Sequence, residues 1–385
     1  MGGPAKYVQR HFEHVTDPRA DRWCNHDLLE MVFVALTAAI CGSERLGRCR
    51  AVRQGQARLV PTIHRIAAWG AVARLLLQRV FARLDTGEFL SAMHQWVDQF
   101  AGSLRSRGIA IDGKTLRGSF DQVAVGQSPL HTITAFATDT RLVLRQMSVG
   151  EKSNEIPAVP VLLQLLELEG AVVTLDAMHA QTKTAKAIVE ANADYVMSIK
   201  HNQPQLHQRL SSSRSTLKTT TKFRDFTHRS AREQQSHGRT EQRACYVIGV
   251  PKGDKVFARW PSIRSIGMLY RHSTTRDKQG KVQETHDVTF FISSLPPRVR
   301  RLNQLLRDHW SIESSEHSVL DVVFTEDASR IRTGSAPEVA AAFRRLSLNI
   351  LQQDTSLKES IRGKRLCAGW DEAVLDGIYA AFQAA

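Results

Sequence analysis

Gly108-Ile-Ala-Ile-Asp112-Gly-Lys-Thr-Leu-Arg-Gly-Ser119 is the stretch on which the fold prediction depends. In it a short apolar run ends in the carboxylate of Asp112, and a glycine and Lys114 follow directly. Apolar runs of this length bounded by glycine are typical of buried strands. Because open α/β sheets bind their ligands outside the carboxyl ends of their strands, the sequence predicts Asp112 at a ligand-binding edge of a sheet.

The same pattern recurs at Gly170–Asp176, where a second apolar run ends in the carboxylate of Asp176. Two strands that each deliver a carboxylate to one edge could hold a divalent cation, because hard cations prefer oxygen ligands. A single aspartate at a strand end is often only a turn residue. The metal-site hypothesis therefore requires a third carboxylate.

The composition indicates a globular protein with a polyanionic partner. The 385 residues suffice for two or three domains with buried cores, and 42% of them are hydrophobic. The formal net charge is +14 and the pI is about 9.9, a balance that favours binding to a polyanion. A merely soluble basic protein remains the alternative, because charge alone does not identify a partner.

Cysteine usage and hydropathy favour a cytoplasmic protein associated with the nucleoid. The chain has five cysteines, Cys24, Cys41, Cys49, Cys245 and Cys367. Their odd number and the absence of a C-x-x-C pair argue against a disulfide framework and a thiolate zinc site. The longest apolar stretch, Met31–Cys41, is too short to span a bilayer and predicts a core helix.

The order of the predicted elements places the two Asp strands in an α/β core. The runs 131–137 and 142–149 predict a β-hairpin after the first Asp strand, and elements up to residue 199 complete a β-β-β-α-β-α-β order. Short β-like runs between 246 and 293, among them Val256–Phe257, predict an inserted antiparallel sheet. The Ser/Thr-rich segment 211–221 is predicted to be a loop.

A helix predicted over 300–320 supplies candidates for the third carboxylate. His309, Glu313 and His317 are four residues apart and therefore share one helix face. Three interpretations remain open. Glu313 joins the two strand-end aspartates at a metal site, or it binds zinc with the two histidines, or the face is exposed and carries an ion pair. The fold order favours the first, because it predicts a carboxylate on a helix after the fifth strand.

Several stretches form specific sequence motifs in a fixed order. They are Ala110-Ile-Asp-Gly-Lys-Thr-Leu-Arg117, Glu151-Lys-Ser-Asn-Glu-Ile156, Thr174-Leu-Asp-Ala-Met178 with Gln181, Ser236-His-Gly-Arg239 with Glu241 and Arg243, His309-Trp-Ser-Ile-Glu313, and Leu320-Asp-Val-Val-Phe324 with Glu326-Asp327 and Arg330-Ile-Arg332. In these motifs the chain resembles the DDE transposases of bacterial insertion sequences, in the branch that includes the H-repeat-associated proteins of Rhs elements. The resemblance extends, with gaps, from Val80 to about Leu351.

The resemblance implies an α/β fold in which an RNase H-like mixed-sheet catalytic core carries a β-rich insertion and an N-terminal helical region. It implies that Asp112, Asp176 and Glu313 are the catalytic residues and the metal ligands. The predicted segments are an N-terminal helical, DNA-binding region at 1–106, the first part of the core at 107–201, the insertion at 202–297, the catalytic-Glu helix with the helix after it at 298–352, and a C-terminal tail at 353–385.

The resemblance also implies metal-dependent DNA cleavage and strand transfer at the ends of an insertion sequence. Two Mg²⁺ ions, for which Mn²⁺ could substitute, fit this chemistry because they activate the attacking oxygen and stabilise the leaving one. The expected partner is double-stranded DNA, comprising the terminal inverted repeats and the target, bound by a homodimer. The alternatives are a nuclease that cuts without joining and an inactive remnant that only binds DNA.

Four basic residues in the matched motifs are predicted to contact DNA: Lys114, Arg117, Arg330 and Arg332. The two arginines at 330 and 332 could hold phosphates through bidentate hydrogen bonds. A structural salt bridge between them and Asp327 is the equal alternative.

The family pattern is lost between Gly42 and about Gln78 and returns at Val80. The window Arg45–Arg83 holds nine arginines and no acidic residue, which would suit either a DNA-binding face or a solvated stretch. The abrupt loss and return predict that 43–78 is translated out of frame between two compensating shifts. The sequence therefore predicts a decayed copy.

Overall fold

A computed structural model describes residues 5–19, 27–42, 79–120, 128–150, 155–219, 228–236, 239–276 and 282–382. The stretch 43–78, which is predicted to be out of frame, lies outside these ranges and its origin stays a prediction. Within them, no helix is both long enough and apolar enough to cross a membrane.

The strands of the described residues form mixed sheet structure. They are β1 (Gly108–Leu116), β2 (Leu130–Ala137), β3 (Leu142–Val149), β4 (Val172–Leu175), β5 (Asp194–Ile199), β6 (His228–Ser236), β7 (Arg239–Gly249), β8 (Ser265–Arg276) and β9 (Val282–Ser293). Short 3₁₀ turns occur at Phe257–Arg259 and Glu326–Ala328.

The α-helices of the described residues are α1 (Ala5–Phe12), α2 (Leu28–Ile40), α3 (Thr86–Ala101), α4 (Glu155–Gln164), α5 (Thr182–Glu190), α6 (Pro204–Thr219), α7 (Val299–His309), α8 (Ser318–Val322), α9 (Ala336–Gln353), α10 (Ile361–Trp370) and α11 (Glu372–Ala381). Asp85 is the N-cap residue of α3, because its side chain accepts a hydrogen bond from the backbone amide of Glu88 at 2.9 Å. A π-helical turn at Glu313–His317 precedes α8.

The chain divides into two compact units that are each built from separate segments. The first comprises 1–103, 113–153 and 312–385, and the second comprises 104–112 and 154–311. Strand β1 contributes its amino-terminal half to the second unit and its carboxyl-terminal half to the first.

In the second unit, β1, β4 and β5 are parallel neighbours, and β9, β8, β7 and β6 continue the sheet in antiparallel order. Helix α7 lies on one face, where its apolar side chains pack against those of several strands. This cluster comprises Val172, Val196, Cys245, Val247, Phe291, Val299, Leu302, Leu305 and Leu306. Helix α7 and the sheet therefore share one apolar core.

The predicted inserted antiparallel sheet is present as β6–β9, and β9 also pairs with β5, so the insertion continues the core sheet. Val256–Phe257, predicted as a strand, leads into a 3₁₀ turn in which Phe257 is buried. The segment 211–221, predicted as a loop, is helical to Thr219. Leu206 and Leu210 bury one face of that helix one turn apart, which outweighs the weak helix propensity of its serines.

In the first unit, β2 and β3 form the predicted antiparallel hairpin, and β2 lies beside β1. Helix α9 is buried along most of its length against α2, α3 and β3. The side-chain amide of Asn349 on α9 accepts a hydrogen bond from the backbone amide of Val143 at 2.8 Å and donates one to its carbonyl oxygen at 2.9 Å. This pair joins α9 to the hairpin beside its turn.

The segment 353–385, predicted to be a tail, contains helices α10 and α11. The hydroxyl of Tyr379 on α11 lies 2.9 Å from Oγ1 of Thr37 on α2, and both groups are buried.

The topology confirms the predicted mixed α/β fold with an RNase H-like core and a β-rich insertion. The evidence is the strand orders β3-β2-β1 and β1-β4-β5, the four further antiparallel strands and the N-terminal helices.

Candidate active site

In the second unit, Asp112 lies within β1, and Asp176 directly follows the neighbouring parallel strand β4. Ile111 on β1 is in register with Leu175 on β4, and each aspartate is the next residue along its chain. Adjacent strands lie about 4.8 Å apart, so the backbones at positions 112 and 176 are neighbours. The predicted strand end at Asp112 is wrong, because β1 continues to Leu116 beside β2, whereas Asp176 does follow the end of β4. Both aspartates are half-buried.

The loop after Asp176 is held by a buried histidine. The backbone amide of His179 donates a hydrogen bond to Oδ1 of Asp176 at 3.2 Å. Nε2 of the same histidine lies 2.9 Å from Oε2 of Glu155, in the first turn of α4, and the ring is fully buried. Sequence reasoning assigned Glu155 no role, although it lies within a matched motif. Its carboxylate lies beside the ring of the histidine whose backbone amide contacts Asp176.

Two amide side chains fasten the same loop from the other side. Asn202 donates a hydrogen bond from Nδ2 to the carbonyl oxygen of Ala177 at 2.5 Å. Gln203 donates one from Nε2 to the carbonyl oxygen of Ala180 at 3.0 Å. The backbone that follows Asp176 is therefore held at several points.

Glu313 begins a π-helical turn in the first unit. The predicted continuous α-helix over 300–320 is wrong, because α7 ends at His309 and Glu313–His317 is a π-turn. Such turns insert an extra residue per turn and occur frequently at functional sites. The Glu313 side chain is 66% exposed, and its Oε2 lies 3.6 Å from Nδ1 of buried His317. Burial, assisted by Arg345, lowers the pKa of His317 to about 4.

His309 has a different environment from the one that the zinc interpretation requires. It is buried in the second unit, and its Nδ1 lies 3.0 Å from Oγ1 of Thr174 on β4. This contact between His309 and Thr174 joins α7 to the sheet. The contact favours the carboxylate interpretation of Glu313 over a zinc site that includes His309.

A buried ion-pair cluster anchors the π-turn within the first unit. Nε of Arg345 lies 3.0 Å from Oε1 of Glu316, and Nη1 lies 3.1 Å from Oε1 of Glu326. All three side chains are fully buried. Burial raises the pKa of Glu316, and the positive charge of Arg345 opposes that rise. Because Glu316 belongs to the π-turn, the cluster fixes the backbone that carries Glu313.

Of the basic residues predicted to contact DNA, Lys114 has partners inside the protein. Its side chain is 8% exposed, and its Nζ lies 2.7 Å from both carboxylate oxygens of Asp321 and 3.9 Å from Oδ1 of Asp327. This environment favours a structural role for Lys114. Arg117, by contrast, is 84% exposed and lies 3.8 Å from Asp327.

The segment that carries Arg330 and Arg332 packs against the loop after β1. Nε of Arg332 donates a hydrogen bond to the carbonyl oxygen of Gly118 at 3.2 Å, and Arg330 is exposed. A side chain at position 118 would collide with the carbonyl oxygens of Asp327 and Ser329, at 2.7 and 2.3 Å. Glycine is therefore required at this approach, and the two matched motifs meet within the first unit.

Comparison with protein families gives two matches. The family described as "Transposase DDE domain" matches residues 103–350. A second family, described as "DDE_Tnp_1-associated", matches residues 9–97, a span that includes the stretch 43–78.

Curated relatives carry related names. "Putative transposase YncI" of Escherichia coli O157:H7 is 33% identical over 291 residues, which cover 75% of this chain and 73% of the relative. "H repeat-associated putative transposase YhhI" of Escherichia coli K12 is 29% identical over 378 residues, which cover 97% of this chain and 98% of the relative. A piggyBac transposase synaptic complex with hairpin DNA has a TM-score of 0.43 and 8% identity, covering 98% of this chain and 75% of that one. At this score the likeness does not bear on the site.

Proposed function

Because the chain belongs to the family of transposases with a DDE domain, we propose that it cleaves DNA at the ends of an insertion sequence and transfers the cut strand to a target, with the help of a divalent metal. The observation that supports the proposal is the parallel register of β1 and β4, in which Ile111 and Leu175, the residues before Asp112 and Asp176, are partners. Two neighbouring carboxylates are suitable ligands for a metal ion that assists phosphodiester chemistry.

Glu313 is the third proposed member of the site. Its carboxylate is exposed on a π-turn that the buried cluster of Arg345 and Glu316 holds in place. In the proposal, Asp112, Asp176 and Glu313 converge and serve as the metal ligands. Convergence of the three carboxylates is part of what the experiments below test.

The residues suit Mg²⁺ as the metal, with Mn²⁺ as a substitute. All three proposed ligands offer carboxylate oxygens, the donor type that Mg²⁺ prefers. When bound, two such ions activate the attacking oxygen and stabilise the leaving oxygen of a phosphodiester. The chain's own residues orient the ligands: the amide of His179 holds Asp176, and Glu155 holds the ring of His179.

Double-stranded DNA is the proposed partner, as terminal inverted repeats and as target. The net charge of +14 supports it. Exposed Arg117 and Arg330 are the proposed phosphate contacts, and Arg332 would orient this segment through its hydrogen bond to Gly118. A homodimer acting on DNA in the cytoplasm completes the proposal.

A second candidate, a catalytically inactive remnant that only binds DNA, rests on the prediction that 43–78 is out of frame; the match of the DDE_Tnp_1-associated family across this stretch weighs against it. A single experiment separates the candidates. The purified chain is incubated with labelled DNA that carries the element's ends, with a target plasmid and with Mg²⁺. Joined products support transposition, cut ends alone indicate a nuclease, and a gel shift without cleavage indicates the remnant.

A further inference from the structure

Two histidines and a glutamate meet on one face of the β8–β9 hairpin, in the second unit. His272 on β8 lies directly opposite His286 on β9, and Thr274 lies opposite Glu284. Because alternate residues of a strand share a face, the side chains at 272, 284 and 286 point to the same side of the sheet.

Their geometry resembles that of an open metal site. The ring centroids of His272 and His286 are 4.3 Å apart and the rings are nearly parallel, with an interplanar angle of 1°. The potential ligand atoms of these two residues and Glu284 all lie within 4.8 Å of one another. Nε2 of His272 is 3.6 Å from Oε2 of Glu284. Ligands bound tetrahedrally to Zn²⁺ at about 2.0–2.1 Å are about 3.3 Å apart, so the ligand atoms already lie close to the required spacing. The two imidazole rings would turn out of their parallel stack to direct one nitrogen each at the same ion.

The hydrogen bonding around the cluster leaves ligand atoms available. The hydroxyl of Tyr270 lies 2.9 Å from Nδ1 of His286, an arrangement that engages Nδ1 and leaves Nε2 for a metal. Nε2 of His272 is buried and has no hydrogen-bond partner among the described residues. Buried polar atoms are normally satisfied, and a metal at this place would satisfy this one.

We propose that His272, Glu284 and His286 form a binding site for a divalent transition metal, with Zn²⁺ as the best-matched ion. Two imidazoles and one carboxylate are a nitrogen-rich donor set that suits zinc, whereas Mg²⁺ prefers oxygen ligands. Three protein ligands leave a fourth position for water, and the 55% exposure of Glu284 keeps that side open to solvent. The ion would link β8 to β9 and strengthen the hairpin.

The test uses the untagged full-length chain, freed of metal by a chelator and kept in excess Mg²⁺ so that carboxylate sites are occupied. Zinc binding is measured by calorimetry, and Co²⁺ binding by its visible absorption. One zinc per chain with a low-coordinate Co²⁺ spectrum is expected. His272→Ala, His286→Ala and Glu284→Gln should each weaken binding by about tenfold or more.

His14→Ala is the matched control, because that histidine is highly exposed and lies outside the cluster; it should leave zinc affinity unchanged. A second measurement uses the unaltered chain, so it tests the proposal even if a variant fails to fold. Zinc should protect His272 and His286, but not His14, from modification by diethylpyrocarbonate, as followed by mass spectrometry. No zinc binding, binding unaffected by the three substitutions, or equal modification of all histidines would overturn the proposal.

Discussion

Nε2 of His179 lies 2.9 Å from Oε2 of Glu155 in the interior of the second unit, while the backbone amide of His179 donates a hydrogen bond to Asp176. This pair connects the start of α4 to the loop that carries a proposed metal ligand. Through His179, Glu155 can therefore influence the position of the Asp176 carboxylate.

Glu155→Gln should slow Mg²⁺-dependent DNA cleavage by about 10- to 100-fold and raise the Mg²⁺ concentration needed for half-maximal rate. The change removes the charge that orients His179 and so loosens Asp176. The affinity for DNA should not change. Glu169→Gln, which alters an exposed ion pair with Arg105, is the control. Equal rates and equal Mg²⁺ dependence in the two variants would rule out a positioning role for Glu155.

Arg345→Met should lower the free energy of unfolding by about 3–5 kcal/mol, because it leaves Glu316 and Glu326 buried without their positive partner. Urea denaturation followed by circular dichroism measures the change. Arg105→Gln, at an exposed pair, should shift the free energy by no more than about 1 kcal/mol. Equal free energies of unfolding for the two variants would contradict the stabilising role of the buried ion-pair cluster.

Stability should fall as the pH falls below about 6.5, in part because His94 is buried as the neutral ring. Burial, assisted by Arg145, lowers the pKa of His94 to about 3, and its Nε2 accepts a hydrogen bond from the backbone amide of Gln146 at 3.3 Å. In the unfolded chain the histidine pKa is near 6.5. Between pH 6.5 and about 3 the unfolded chain therefore binds one more proton at this position, and this group contributes a slope of up to about 1.4 kcal/mol per pH unit.

Urea denaturation at pH 7, 6 and 5 measures this dependence, with His94→Gln as the comparison. The variant keeps a hydrogen-bond acceptor but cannot gain the proton, so its stability should fall less steeply with decreasing pH. Parallel pH profiles for the two chains would contradict the assignment of the slope to His94.

Arg117→Ala and Lys114→Met should affect DNA binding differently. Arg117 is exposed, so its removal should reduce the slope of log K against log salt concentration by about 0.9, the value for one phosphate contact. Lys114 is buried against Asp321, so its removal should lower stability and leave the salt slope unchanged. Fluorescence anisotropy with a labelled duplex measures both slopes. If Lys114→Met also reduced the slope of log K against log salt concentration, the result would support the predicted contact between Lys114 and DNA.

The strand end at Asp176 was predictable because local pattern encodes it: an apolar run, then a carboxylate. The same pattern misplaced the end of β1, which continues beyond Asp112 to Leu116 because β2 lies beside it. The adjacency of Asp112 and Asp176 follows once the two strands are parallel neighbours. Pairing between β5 and β9 was not predictable in this way, because about a hundred residues separate partners such as Val196 and Ser293 and no local pattern specifies which strand lies beside which.

The supporting residues were also beyond the reach of sequence patterns. Arg345 and Glu316 are 29 positions apart and are buried together, whereas isolated arginines and glutamates are usually exposed. All five residues of the π-turn at Glu313–His317 are polar, so this segment has no apolar periodicity that distinguishes a π-turn from an α-helix. Periodicity alone therefore predicted a regular helix where the structure has an inserted residue.

The central claim is that Asp112, Asp176 and Glu313 hold the metal for DNA cleavage. The most direct measurement is the initial rate of Mg²⁺-dependent cleavage of end-sequence DNA by the unaltered chain and by Asp176→Asn, with Glu169→Gln as the control and DNA affinity measured in parallel. The account predicts cleavage by the unaltered chain and the control, and none by Asp176→Asn, whose affinity for DNA should be equal or higher because a negative charge is lost. Cleavage by Asp176→Asn at the unaltered rate, or no cleavage by the unaltered chain, would contradict it.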